Sequence, residues 1–186
     1  MAGKLDQIIV IDVESTCWED RPPENDASEI IEIGLCVVDV HKRERIAQES
    51  LLVQPTRSRV SPFCTQLTTL TQAQVEQGLL FAEACQSLQQ RYRTRQRTWA
   101  SYGDYDRRQF ERQCQRDAVA SPFGPTHLNI KNLFALVYQL ESEVSLAKAL
   151  ALCGQRFVGT PHRGVDDAWH VAGLLVQLLR CGRQSG

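Results

Sequence analysis

Ile8-Ile9-Val10-Ile11-Asp12-Val13 is a β-branched run interrupted by one acid, and a second acid, Glu14, follows it. A short run of this kind predicts a buried strand. Residues two apart on a strand project from the same face, so Asp12 and Glu14 leave its end side by side. Two carboxylates at the end of a buried strand are costly unless something pairs with them. A divalent cation is one such partner, because hard cations take oxygen ligands. The start of a solvated loop is the other reading, and the D-x-E spacing alone does not separate them. Ser15-Thr16-Cys17 follow, small residues whose backbone can approach a ligand closely.

Outward from this run the pattern stays extended. Ile30 to Val40 predicts a second, longer strand, and Ile46 to Val53 a third that Pro55 closes. The polar stretch His41 to Arg45 between them reads as a hairpin connection, which gives an antiparallel meander. The pattern then turns helical. Thr71 with Gln74 makes a capping box at the start of a short helix. Phe81, Ala84, Cys85, Leu88 and Tyr92 share one helical face. Thr98 to Tyr102 predicts a fourth strand, followed by a helix from about Arg107, and His127 to Ile130 a brief fifth. Helices are expected over Leu133 to Leu140, over Leu146 to Leu152 between Ser145 and Gly154, and from about Asp166 to Arg180. The sum is an α/β domain with a mixed five-stranded sheet, its first three strands antiparallel. One domain is expected over residues 1–186, with its core at about 7–180.

The composition, 42% hydrophobic and 23% charged, is that of a globular protein. No apolar run approaches the roughly 20 residues of a membrane span. Met1 to Gln7 shows no secretory signal, so a cytoplasmic location is expected. A net charge of −1 argues against a protein that coats nucleic acid by bulk attraction. It leaves room for a nucleic-acid enzyme whose site is made electropositive by bound cations. The seven cysteines contain no C-x-x-C pair and read as reduced, small apolar residues.

Two further acidic clusters lie far along the chain. His162-Arg163-Gly164-Val165-Asp166-Asp167-Ala168 enters the last predicted helix, where carboxylates are favoured by the helix dipole. Capping is therefore one account of Asp166 and Asp167. A loop histidine five residues before Asp167 adds another, since a neutral imidazole can take a proton from a bound water. Gly103-Asp104-Tyr105-Asp106 follows the fourth strand and opens a helix bearing Phe110. If strands one and four are neighbours, a carboxylate there shares a sheet edge with Asp12.

In this order, Asp12-Val13-Glu14-Ser15-Thr16, Gly103-Asp104-Tyr105-Asp106 with Phe110, and His162 to Asp167-Ala168 resemble the DEDDh 3′–5′ exonuclease superfamily, of RNase H-like fold. Ser61-Pro62-Phe63-Cys64-Thr65-Gln66-Leu67-Thr68-Thr69-Leu70-Thr71 and Glu14-Ser15-Thr16-Cys17-Trp18 are similar to segments of Eri-type exonucleases. Thr69 departs from that pattern, which often has glycine there, and no SAP or other RNA-binding extension is expected.

The resemblance implies that Asp12, Glu14, Asp106 and Asp167 hold two Mg²⁺ or Mn²⁺ ions. It selects Asp167 over Asp166 and Asp106 over Asp104, and makes His162 the base for an attacking water. It further implies release of nucleoside 5′-monophosphates from single-stranded 3′ ends, RNA favoured over DNA. Thr16, Cys17, Trp18, Phe63, Leu67 and Tyr105 are the expected contacts to terminal nucleotides. Arg107 and Arg108, with Arg112 and Arg116, are the candidates for backbone phosphates. Arg91, Arg93, Arg95 and Arg97 read instead as a solvated turn, Trp169 as core and His170 as packing. A catalytically silent binding module on the same fold, or an exonuclease restricted to very short oligonucleotides, are the alternatives. Oligomeric state is left open.

Overall fold

The computed structural model describes residues 4–23 and 27–181. Its centre is β1 (Lys4–Ser15), whose apolar run is buried on both faces. Strand β2 (Ile30–Asp39) pairs antiparallel with β1, and β3 (Glu44–Gln54) pairs antiparallel with β2, which makes the expected meander. On the other side of β1, β5 (Arg97–Ser101) runs parallel to it, and β6 (His127–Asn129) runs parallel to β5. Among the described residues the sheet has six strands rather than five, because the two-residue strand β4 (Leu79–Leu80) pairs parallel with Val53 and Gln54. Two residues are too few to show the period-2 alternation by which a strand is recognised. The order across the sheet is β4-β3-β2-β1-β5-β6.

Alternation along β1 divides the core in two. Ile9, Ile11 and Val13 pack beneath α3 (Phe81–Tyr92) and α4 (Tyr105–Arg116). Ile8 and Val10 face α5 (Ile130–Val137), α6 (Leu146–Leu152) and α7 (Gly164–Cys181). The even-numbered positions continue to Asp12 and Glu14, so both acids are directed toward the α7 side. No helix among the described residues is long and apolar enough to cross a membrane.

Two short helices lie between β3 and β4. Helix α1 (Pro62–Thr68) has Pro62 in its first turn and the Ser61 hydroxyl accepting from the Cys64 N–H. Helix α2 (Gln72–Val75) opens with the Thr71–Gln74 capping box. Thr69 ends α1 in the left-handed region, at φ 64°. That conformation favours glycine, the residue that the family resemblance leads one to expect there.

Seating α7 on the sheet requires two glycines. A Cβ on Gly34 would lie 1.8 Å from the Gly164 carbonyl carbon, and one on Gly164 would lie 2.9 Å from the Asp12 carbonyl oxygen. The start of α7 therefore rests directly on the β1–β2 backbone beside the acidic pair.

Candidate active site

At the end of β1 the three separated clusters converge. Asp12, Glu14 and Asp167 each offer a carboxylate oxygen, and these oxygens lie within 4.8 Å of one another. Asp106 enters from the first turn of α4, where the Val13 N–H donates to its Oδ1 at 2.9 Å. That bond is possible because β1 and β5 are neighbours, so the turn leaving β5 opens beside Val13. The four carboxylates and His162 line one cavity of about 340 Å³, with Cys17, Leu67 and Tyr105 on its walls. His162 is exposed and adopts a left-handed backbone, φ 61°.

The electrostatics are those of an acidic cluster short of positive charge. Burial pushes Asp12 well above the ordinary carboxylate range, and the charges of Asp106, Asp167 and Glu14 add to the shift. Burial likewise raises Glu14 to about 8, with Asp167 and Glu32 as the main charged contributors. Asp106 is raised by burial to about 6, the Val13 N–H opposing the shift. Asp167 is also raised by burial to about 6, and His162 holds it back. Like charges gathered in a desolvated site favour the protonated forms until a cation compensates them.

A divalent cation fits this arrangement. The Asp167 Oδ2 is buried and has no hydrogen-bond partner in the structure. Buried polar atoms are rarely left unpaired, and an all-oxygen donor set suits Mg²⁺ or Mn²⁺ better than softer metals. The neighbouring acids are occupied elsewhere. Asp166 Oδ2 accepts from the Thr160 N–H at 2.9 Å, and Asp104 takes the Arg107 guanidinium at 3.2 Å.

The remaining sequence-derived candidates are placed unevenly. Thr16 is buried, its hydroxyl 2.9 Å from that of Ser58 and accepting from the Glu29 N–H. Leu67 lies between the main cavity and an adjoining one that Phe63 also lines. Trp18 is half-buried and lines neither. Tyr105 is half-exposed at the cavity wall. Arg107 is spanned between Asp104 and Glu111, whereas Arg108 is exposed on α4. Arg116 is turned to Asp117 and Glu29. Trp169 stacks beneath Arg45 at 3.8 Å, and His170 is buried against Phe157.

Two acids passed over by the sequence reading shape the site. Glu29 is 1% exposed and accepts from the N–H groups of Thr56, Arg57 and Ser58, fixing the loop that meets Thr16. Glu32 is fully buried and holds Arg163 and the Gly164 N–H. The available signal was Glu29-Ile30-Ile31-Glu32, two acids bracketing an apolar pair at the start of a buried strand.

A family model described as an exonuclease, RNase T, matches residues 9–175. The chain is 30% identical over 187 residues to 3′-5′ exoribonuclease 1 of Homo sapiens, an alignment covering 95% of this chain and 53% of that protein. It therefore spans about half the length of that relative. It is 26% identical over 200 residues to the 3′-5′ exonuclease Snipper of Drosophila melanogaster, covering 94% and 70% of the two chains. The crystal structure of the nuclease domain of 3′hExo, a DEDDh family member, bound to rAMP superposes with a TM-score of 0.87 at 26% identity, over 98% of this chain and 96% of that one. Together with the three motifs at one sheet edge, these matches show that the chain belongs to the exonuclease family described by the RNase T model, as a DEDDh member close to the Eri-type exonucleases.

Proposed function

We propose that residues from about 7 to 180 form one metal-dependent 3′–5′ exonuclease domain. It trims single-stranded nucleic acid ends, RNA in preference to DNA, and releases nucleoside 5′-monophosphates. The observation that carries this reading is that Asp12, Glu14 and Asp167 bring carboxylate oxygens within 4.8 Å of one another at a cavity that His162 also lines, with the buried Asp167 Oδ2 left without a hydrogen-bond partner. The RNA preference is supported by the names of the relatives.

In this reading Asp12, Glu14, Asp106 and Asp167 hold two divalent cations. When bound, such ions activate the attacking water and stabilise the leaving 3′-oxygen. The chain's own groups do the rest. His162, on an exposed loop, accepts the proton of the attacking water and passes it to solvent. The Val13 N–H fixes the orientation of Asp106. Cys17, Leu67 and Tyr105 form the wall against which the terminal base rests, with Thr16 supporting that wall from behind. Phe63 extends the apolar surface into the adjoining cavity, Trp18 follows Cys17 in the chain, and Arg108 and Arg107 lie on the helix nearest the incoming phosphates.

Single-stranded RNA and DNA labelled at the 3′ nucleotide provide the test, with duplexes and dinucleotides alongside. Release of labelled nucleoside 5′-monophosphate in Mg²⁺ or Mn²⁺, stopped by EDTA and faster on RNA, is expected. Tight binding of the strand without hydrolysis in either metal would show a silent binding module instead.

A further inference from the structure

Glu32 lies directly opposite Glu14 in the β1–β2 ladder, on the same face of the sheet. Its position invites counting it as a fifth acidic ligand. The hydrogen bonds argue otherwise. Arg163 donates from Nε to Glu32 Oε2 at 3.0 Å and from Nη2 to Oε1 at 3.1 Å, a two-pronged pairing. The Gly164 N–H adds a bond to Oε2 at 3.0 Å, and the Ser50 hydroxyl donates to Oε1. Each carboxylate oxygen has two acceptor sites, so these four donors fill the group. Its charge is matched by Arg163, and it has no site left for a cation.

What Glu32 holds is informative. Arg163 and Gly164 are the junction between the loop ending at His162 and the first turn of α7, which carries Asp167. Two residues along the same face of β2, Gly34 lets that turn come into backbone contact with the strand. His162 keeps a left-handed backbone that costs a non-glycine residue of order 1 kcal/mol, and such strain persists where neighbouring bonds fix it. Asp167 closes the 4.8 Å cluster whose other two members, Asp12 and Glu14, come from β1. A small displacement of the α7 start would move it away from Asp12 and Glu14 while leaving the sheet intact.

We infer that Glu32 is a positioning residue of the reaction: through Arg163 and the Gly164 N–H it sets His162 and Asp167 against the carboxylates of β1. The inference rests on the exonuclease reading above, and its test includes binding as well as turnover. Mn²⁺ affinity is measured by electron paramagnetic resonance on the full chain stripped with EDTA, with melting temperature and steady-state RNA hydrolysis measured in parallel. Two variants are compared with wild type. Glu32→Gln removes the charge at constant shape. Arg163→Lys, at a side chain that is 27% exposed, keeps the charge and removes the fork.

Both variants are expected to bind Mn²⁺ more weakly, Glu32→Gln by about tenfold or more. The loss of turnover is expected in kcat rather than in KM. A purely structural role lowers the melting temperature and leaves Mn²⁺ affinity and kcat at 20 °C or so unchanged; that result overturns the inference. If Glu32→Gln does not fold, Arg163→Lys decides alone, weaker Mn²⁺ binding supporting it and unchanged binding refuting it. Wild-type protein that neither binds Mn²⁺ nor hydrolyses RNA overturns the exonuclease reading itself.

Discussion

Glu14 and Glu32 face each other across the β1–β2 ladder and end in opposite circumstances. Glu32 is saturated by Arg163, Gly164 and Ser50. Glu14 shares a 4.8 Å cluster with Asp12 and Asp167. One acid is tied into the scaffold, and the other joins a group of repelling charges for which a cation is the natural partner.

That difference predicts the pH dependence of stability. Folding raises Glu14 from 4.5 to about 8 and Asp106 and Asp167 from 3.8 to about 6, with Asp12 shifted in the same direction. A group whose folded-state pKa lies above its unfolded value adds stability that is fully present below the unfolded pKa. That stability is lost as pH rises through the folded value. In EDTA the melting temperature should therefore fall between pH 5.5 and 8.5. Saturating Mg²⁺ or Mn²⁺ should restore most of the loss by binding the ionised form. A flat or rising melting temperature in EDTA over that window counts against the cluster.

Replacing His162 separates its backbone from its ring. Asparagine tolerates the left-handed region better than alanine does, so His162→Asn keeps the loop and removes the base. Both His162→Ala and His162→Asn should lose about 10²–10⁴-fold in RNA hydrolysis, with unchanged circular dichroism. Asp106→Ala should abolish hydrolysis with the same spectrum. Near wild-type turnover in any of the three removes that residue from the mechanism.

Thr69 carries strain unrelated to chemistry. Its left-handed φ costs a β-branched residue about 1–2 kcal/mol, whereas glycine pays about 0.5–1 kcal/mol in chain entropy. The strain term is the larger. Thr69→Gly should raise the melting temperature by about 2 °C, with hydrolysis unchanged. Calorimetry showing a lower melting temperature would mean that α1 ends on some contact of the threonine side chain.

Gly34→Ala is expected to act in the opposite sense. Its Cβ would sit 1.8 Å from backbone of Gly164, and backbone has no rotamer by which to move aside. A loss of about 3 kcal/mol or more in chemical denaturation is expected. Mn²⁺ binding should weaken with it, because the start of α7 must lift. Unchanged denaturation would show that the close approach is not needed.

Much of this was legible in the sequence where a local rule decides the structure. The antiparallel meander, the Thr71–Gln74 box and the Ser145-capped helix follow from alternation and capping. The convergence of Asp12, Glu14, Asp106 and Asp167 came from recognising three motifs in order, since no periodicity relates motifs about 60 to 90 positions apart. Strand β4 escaped because a two-residue strand is defined by its partner alone. Glu32 escaped because an acid within an apolar run reads as an exposed face until Arg163, 131 residues away, is seen to cover it.

In the proposed enzyme Asp12, Glu14, Asp106 and Asp167 hold divalent cations in one cleft. Anomalous diffraction from a crystal soaked in Mn²⁺ tests it most directly. Manganese is expected within coordination distance of Asp12, Glu14 and Asp167, with Asp106 completing the site. Manganese bound elsewhere while those oxygens stay bare, or Asp12 and Asp167 found on opposite sides of the molecule, would contradict it.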